Sequence, residues 1–408
     1  MRISIIGCGP AGLFAATALH DNQFDVTLFE QFEQPAPVGS GLVLQPTGLA
    51  MLEAIGLRSQ AESLGQRIDR MSGRLAPAGK VVLDIKYNAL QNNLYGVAIH
   101  RTALFQLLFD AVTTRNIPIK TNCKVTSVVS DKDRKSHLKI DQHADQHSSD
   151  SVFDLVIDAS GVNSSVLRSL HPNFTQTDLS FGALWTTVEL NGFSPTVLEQ
   201  RYVKANKMIG ILPCGQLPDD NRQLATLFYS IEGKDYQRWL QQGLDVWKSE
   251  VTTLWPETAP LLQQIDSPEQ ITFTTYSHYT LKPPHTEGVV FIGDAAHATS
   301  PQLGQGANMA FLDALALTTA LKINRNNLPL AGAYYAQLRR SHVRMYQAVS
   351  YFLTPFYQSN SRVLPILRDT FFEPVTSIAF MNRFITRLGS GLLGNPAATL
   401  VSKYGQSE

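Results

Sequence analysis

An α/β fold with a parallel core, an inserted antiparallel sheet and C-terminal helices is predicted by three features of the 408-residue sequence. The chain opens on a strand, a glycine-rich turn, a helix and a second strand. From about 175 to 280 the pattern changes to alternating strands. A further apolar strand, Val289 to Ile292, then runs into a turn rich in glycine and proline. Alternation between these regimes suits a parallel sheet interrupted by a second layer.

The opening carries the most context. Arg2 to Ile6 form a short apolar strand, Gly7-Cys8-Gly9-Pro10-Ala11-Gly12 turns into the helix Leu13 to Leu19, and the strand Asp25 to Phe29 ends on Glu30. In this order the residues make a Rossmann-like dinucleotide fingerprint. Gly7 supplies the tight turn, Gly9 lets backbone approach a pyrophosphate, Ala11 and Gly12 begin the helix against the strand, and Glu30 accepts from ribose hydroxyls. Gly389 to Gly394 match the same glycine spacing, but only fourteen residues follow (408 − 394 = 14), too few for a helix and a second parallel strand. Those glycines are expected to end a helix in a terminal turn.

Gly293-Asp294-Ala295-Ala296-His297 and the following Pro301, Gly304, Gly306, Ala307 and Asn308 form the second cluster. A carboxylate at a strand end can hold sugar hydroxyls. A helix from about Ala307 turns its positive end toward a bound anion or an electron-accepting ring. His297 reads more readily as a structural or cofactor-shell histidine than as a base.

Between these clusters lie a Pro/Gly-rich loop (Gln34 to Gly41), a helix from Leu49 to about Ile55, and strand-like stretches at Met71 to Leu75 and Lys80 to Ile85. The helix Thr102 to Val112 and strands at Ile117 to Val129 and Phe153 to Asp158 follow. The later strands are expected at Gly182 to Leu190, Lys207 to Leu212, Leu224 to Ser230 and Ile271 to Tyr276, with helix around Tyr236 to Trp255. Expected domains are residues 1–175 as the first part of the nucleotide-binding domain, with a short strand insertion at about 70–95. Residues 176–280 form the substrate-side sheet, 281–345 return to the nucleotide-binding domain, and 346–408 make a C-terminal helical segment.

Composition narrows the class. Charged residues are 17 % of the chain and the formal net charge is zero, which gives no electrostatic footprint for nucleic acid. Cys8, Cys123 and Cys214 are too scattered for a metal site or a disulfide framework, so thiols in a reducing cytoplasm are expected. His137, His143 and His147 fall in a polar tract (131–151) that reads as a solvated hairpin rather than a metal site. No apolar run spans a membrane, and the N-terminal strand is too short for a signal peptide.

With both clusters in view, the chain resembles the p-hydroxybenzoate hydroxylase-like FAD-dependent monooxygenases from residue 1 to about 345. Gly7 to Gly12 with Glu30 is similar to the family's ADP-binding unit. Gly293-Asp294 with Pro301, Gly304, Gly306, Ala307 and Asn308 is similar to its second FAD motif. The resemblance further implies FAD contacts from Gly41, Leu42 and Arg101, and an adenine clamp through the backbone of Val125. It implies NAD(P)H and molecular oxygen as co-substrates, and hydroxylation of an electron-rich aromatic substrate through a flavin C4a-hydroperoxide. The pocket would lie near Pro301, Gly304 and Gly306, with the catalytic base unidentified. One position departs from the pattern: the family's Asp-Gly pair reads Ser160-Gly161, with Asp158 displaced by two residues, which leaves coenzyme docking open. Substrate-side candidates are Trp185, Arg201, Tyr202, Tyr229 and His278. Alternatives are a maturation enzyme acting on an aromatic residue of a partner protein, and a reductase or halogenase, although the halogenase Trp-x-Trp-x-Ile-Pro signature is absent. Residues 346 to 393, apolar with Arg362, Arg368, Arg383 and Arg387 and interrupted by Pro355, Pro365 and Pro374, loosely resemble the tails of ubiquinone-pathway hydroxylases. They are expected either to pack on the core or to touch a membrane peripherally, which would suit a lipophilic substrate.

Overall fold

A computed structural model describes residues 1–405 other than Val38, Ala78, Asn92, 142–151 and Asn395. His143 and His147 lie outside the described residues.

The core is a six-stranded sheet in the order His285–Thr286, Val289–Phe291, Leu155–Asp158, Arg2–Ile6, Asp25–Phe29 and Ile119–Lys120. All neighbours are parallel except the His285–Thr286 edge. Helices cover one face, and a three-stranded antiparallel sheet (Val125–Ser130, Ser136–Ile140, Val152–Phe153) with the short helix Ser165–Leu170 covers the other, so these strands are continuously apolar rather than alternating. The helix Pro10–His20 starts on a proline whose missing N–H costs nothing at the first turn. It packs on the helix Gly306–Ile323, where the Phe14 and Phe311 rings stack at 4.7 Å.

The second layer is a seven-stranded sheet ordered Thr272–Thr274, Phe181–Glu189, Asp220–Glu232, Lys207–Leu217, Val197–Val203, Arg70–Leu75 and Val81–Lys86. Its last two strands come from the stretch read as a short insertion, and Val197–Val203 pairs in parallel with Arg70–Leu75. Val197–Val203 is absent from the predicted strands because Glu199, Gln200 and Arg201 interrupt its apolar alternation. One face carries Leu184, Leu227 and Tyr229 under the helices Tyr236–Gln242 and Leu244–Leu254. The single helix expected there is two, broken at Gly243, whose φ of +81° suits glycine. The opposite face, with Trp185, Tyr202 and Phe228, turns inward and packs with Val43, Ile68 and Ala98 of the small sheet Gly41–Leu44, Gly96–His100 and Gln66–Ile68.

Other boundaries shift similarly. The strand expected from Ile117 to Val129 is Ile119–Lys120 in the core sheet and Val125–Ser130 in a separate antiparallel sheet. Phe153 to Asp158 likewise divides between two sheets at Asp154. At the C-terminal end run the helices Leu328–Tyr357, Leu364–Ser377, Ala379–Gly389 and Pro396–Gly405. The prolines expected to cut short helices sit at helix ends. Pro355 and Pro374 occupy final turns and Pro365 a first turn, so each removes at most one late hydrogen bond. The first of these helices is therefore long, at 30 residues. Among the described residues no helix is long and apolar enough to cross a membrane.

Candidate functional site

The N-terminal half-site is built on backbone geometry. Gly7 has φ +99°, and a Cβ there would meet the carbonyl oxygen of Ala159 at 2.9 Å. A Cβ on Gly12 would fall 2.0 Å from the Gly7 carbonyl oxygen, so the helix can sit this close only with glycine. Nothing lies within 4 Å of the corresponding point on Gly9, which faces open space at the helix N-terminus. Glu30 is buried beside this turn: its Oε2 accepts from the Cys8 amide at 2.9 Å and its Oε1 from Phe32 at 3.2 Å. A carboxylate offers about four lone-pair sites, so capacity remains for ribose hydroxyls.

The second half-site meets the first directly. A Cβ on Gly293 (φ +59°) would touch the Cβ atoms of Ala11 and Ala310, each at 3.3 Å. The next residue, Asp294, is solvent-accessible, yet protein crowds it enough that desolvation raises its carboxyl above the ordinary value. The charges of His297 and Arg101 oppose that rise. Its carboxylate takes no hydrogen bond from the described residues, while Tyr279 holds its backbone carbonyl. The turn continues through Pro301–Leu303 and the left-handed Gly304 into the helix Gly306–Ile323, which has no side-chain N-cap and no acid in its first turn. Its first amides are thus left for an anion or polar ring edge.

Asn308 acts differently from a ligand side chain. Its Oδ1 accepts from the Gln45 amide at 2.9 Å, and its Nδ2 donates to the carbonyls of Val43 (3.1 Å) and Gly304 (3.0 Å). It ties the strand Gly41–Leu44 to the Pro301–Gly306 turn. The Gly41 amide is also engaged, donating to Thr226 Oγ1 at 2.7 Å, and Leu42 pairs with Ile99 in the strand ladder. Arg101 lies exposed over Gly39 at the start of the helix Arg101–Thr114. Val125 is buried in an apolar cluster with Ile6 and Phe29, beyond the end of Glu30's strand.

Beneath the Gly-Asp turn lies a charged network that sequence reading missed. Asp313, wholly buried, accepts from the Gly293 amide (2.9 Å) and Arg339 Nε (2.6 Å), and pairs with His297 Nε2 at 2.6 Å. Although burial pushes the other way, the charges of His297 and Arg339 and their hydrogen bonds hold its carboxyl down at about 2. Arg339 also meets His342 Nδ1 at 3.2 Å; burial and the Arg339 charge depress that imidazole to about 2. His297 is thereby placed as a brace for the turn. A lone carboxylate within an otherwise apolar helix was the available signal.

At the departure from the family pattern, Ser160 folds back on Asp158. Its amide and hydroxyl donate to Asp158 Oδ1 at 2.9 and 2.6 Å, and Ser164 Oγ donates to Oδ2 at 2.5 Å. The carboxylate is displaced inward rather than lost. Burial raises its pKa, partly offset by these donors.

Strand alternation separates the substrate-side candidates. Trp185 and Tyr202 lie on the inward face, while Tyr229 packs against Trp247 and Arg201 stacks on Trp255 at 4.3 Å, on the far face. His278 accepts from the Ser300 amide at 3.1 Å, and burial lowers its pKa, so its neutral ring supports the turn. Trp185 Nε1 donates to Tyr276 Oη at 3.0 Å and its ring lies 5.1 Å from Phe228. Tyr276, expected as the last residue of a strand from Ile271, lies just past the observed strand Thr272–Thr274. Among the described residues no group of three or more His, Cys, Asp or Glu could hold a metal.

Open space at Gly9 and Gly306, spare acceptors on Glu30 and Asp294, and uncapped helix amides fit an extended dinucleotide such as FAD. Residues 1–326 match the family described as FAD binding domain. The chain belongs to that family. It is 26 % identical over 375 residues to 6-hydroxynicotinate 3-monooxygenase of Pseudomonas fluorescens, covering 86 % of this chain and 90 % of that one. It is 24 % identical over 379 residues to a probable 2-heptyl-3-hydroxy-4(1H)-quinolone synthase of Rhodococcus erythropolis, covering 92 % and 91 %. Klebsiella pneumoniae HpxO complexed with FAD and uric acid shares the fold at a TM-score of 0.80 and 19 % identity, over 97 % of this chain and 98 % of that one. This FAD-binding protein is an oxidoreductase of the monooxygenase class, with reduced nicotinamide and oxygen as co-substrates.

Proposed function

We propose that this flavoprotein hydroxylates a small electron-rich aromatic or heteroaromatic ring bound between the Pro301–Gly306 turn and the inner face of the seven-stranded sheet. The observation that carries the reading is the aromatic floor on the inner face of that sheet, where Trp185 Nε1 donates to Tyr276 Oη at 3.0 Å and the Trp185 ring lies 5.1 Å from Phe228. Relatives named for hydroxynicotinate, 3-hydroxybenzoate and urate fit a flat polar ring in such a place.

When bound, FAD supplies hydride acceptance and oxygen activation. In this reading Gly7, Gly9, Ala11 and Gly12 lie along the pyrophosphate, Glu30 and Asp294 hold sugar or ribityl hydroxyls, and Val125 backs the adenine. The amides of Gly306, Ala307 and Asn308 stabilise negative charge at the ring edge. Tyr276 keeps its proton near neutrality, because burial pushes the phenol up to about 12. Its oxygen already accepts from Trp185, so its own hydrogen is left to donate to a substrate oxyanion. Steady-state assays with hydroxylated benzoates and pyridines, read by NAD(P)H oxidation and product mass, test this. Tyr276→Phe is expected to raise KM roughly 2–12-fold, the worth of one hydrogen bond, with kcat less affected. Oxidation of NAD(P)H without any hydroxylated aromatic product would overturn the reading.

A further inference from the structure

The C-terminal helix Leu364–Ser377 is built inside out. Its one fully buried charged side chain, Arg368, is 1 % exposed and donates to the carbonyls of Phe356 (2.9 Å) and Lys204 (2.8 Å). The guanidinium also sits 5.1 and 5.2 Å from the ring centres of Tyr202 and Tyr357. Outward, by contrast, runs an i, i+4 ridge of Val363 (62 % exposed), Leu367 (41 %), Phe371 (57 %) and Val375 (36 %), flanked by Ile366 (64 %). The next helix continues it with Phe380 (75 %) and Phe384 (39 %) at the same spacing. A helix that uses its arginine as the anchor and presents leucine and phenylalanine to the exterior is made for an apolar phase. Scattered exposed hydrophobics are ordinary; a ridge spanning two helices marks a contact surface.

Charge chooses the occupant. Arg362, Arg383 and Arg387 are exposed around the ridge; the first helix carries Asp369, which is paired with Arg368, and Glu373, while the sequence from Pro374 to Gly405 contains Arg383, Arg387 and Lys403 but no Asp or Glu. A twofold contact with a second copy would set this basic surface against itself. An anionic bilayer complements it, with phenylalanines at the acyl boundary and arginines among the headgroups. Arg387 also lines a cleft of about 490 Å³ with Leu90, Leu94, Leu392 and Leu393, one turn beyond Phe384.

We infer that the helices Leu364–Ser377 and Ala379–Gly389 form a peripheral docking face for anionic lipid bilayers. The inference stands apart from the substrate reading, since docking is read without turnover. Flotation of the full-length holoenzyme with phosphatidylcholine vesicles and with mixed phosphatidylcholine/phosphatidylserine vesicles tests it. Binding to the mixed vesicles alone is expected. Arg383→Gln and Arg387→Gln should each weaken it about fivefold, and Leu367→Glu with Phe371→Glu should abolish it. FAD absorbance and turnover of a soluble aromatic should stay unchanged in the latter variant, which replaces only exposed side chains. Failure of the wild type to float with either vesicle would overturn the inference. So would a wild-type dimer that becomes monomeric in the Leu367→Glu/Phe371→Glu variant while flotation is unaltered, because the face would then be a self-association surface.

Discussion

Asp158 and Asp313 are both wholly buried beside the cofactor cleft, and their surroundings drive them in opposite directions. Asp313 sits between the side chains of His297 and Arg339, which hold its carboxyl down at about 2. Among the described residues Asp158 has only the hydroxyls of Ser160 and Ser164 and one amide as partners, and burial raises its pKa. A carboxylate compensated by cations can fix a backbone turn rigidly. One compensated by hydroxyls keeps its proton more readily, and its neighbours adapt to either state. The difference teaches that burial alone does not set a carboxylate's role; the charge of its partners does.

Removing the charge at each site sharpens the contrast. Asp313→Asn strands Arg339 in the interior and is expected to cost about 3–5 kcal/mol of stability, measured by denaturant unfolding. The same variant should release FAD more readily, as the Gly293 amide loses its charged acceptor. A loss near zero would mean that the network is not a cation-compensated brace. The imidazole beyond Arg339 gives the next effect. His342 titrates near 6.5 when unfolded but at about 2 in the fold, so the unfolded state binds the extra proton between those values. Stability should therefore fall as pH drops below 6.5, by up to about 1.4 kcal/mol per pH unit, and His342→Gln should flatten that slope in unfolding midpoints at pH 7 and 5.5. Asp158→Asn should do least, within about 1 kcal/mol at neutral pH. Because the folded pKa of Asp158 is raised, its contribution is fully present below the unfolded value and is lost as pH rises, opposite to Asp313. If Asp158→Asn proved as damaging as Asp313→Asn, the comparison would break.

The parts of this molecule legible in its sequence are those dictated by local backbone needs. Gly7, Gly12 and Gly293 occupy positions where a Cβ would collide or φ is positive, and such demands repeat wherever the motif is used. The pairing of Val197–Val203 with Arg70–Leu75 was hidden because partners more than a hundred residues apart leave no local mark. A shorter separation, 26 residues, was enough to hide Arg339, whose role appears only when the long helix carries it to Asp313. Arg201 and Tyr229 were grouped with Trp185 by residue type, although strand alternation sends Arg201 and Tyr229 to the far face. Asn308 was read as a cofactor contact, and what its type and position could not show is that its side-chain amide is spent on the backbone of two segments.

The direct seating of Gly293 on Ala11 has a consequence for synthesis. Glu30 leaves the ribosome 264 residues before Asp294 (294 − 30 = 264). At the usual 5–20 residues per second that interval is roughly 13–53 s. Throughout it the nascent N-terminal unit lacks Asp294, the second carboxylate that the proposed reading assigns to the dinucleotide, and has no Phe311 ring to stack on Phe14. Firm capture of the dinucleotide must therefore follow elongation rather than accompany it, and until then an apolar helix face waits for chaperones or for the rest of its own chain.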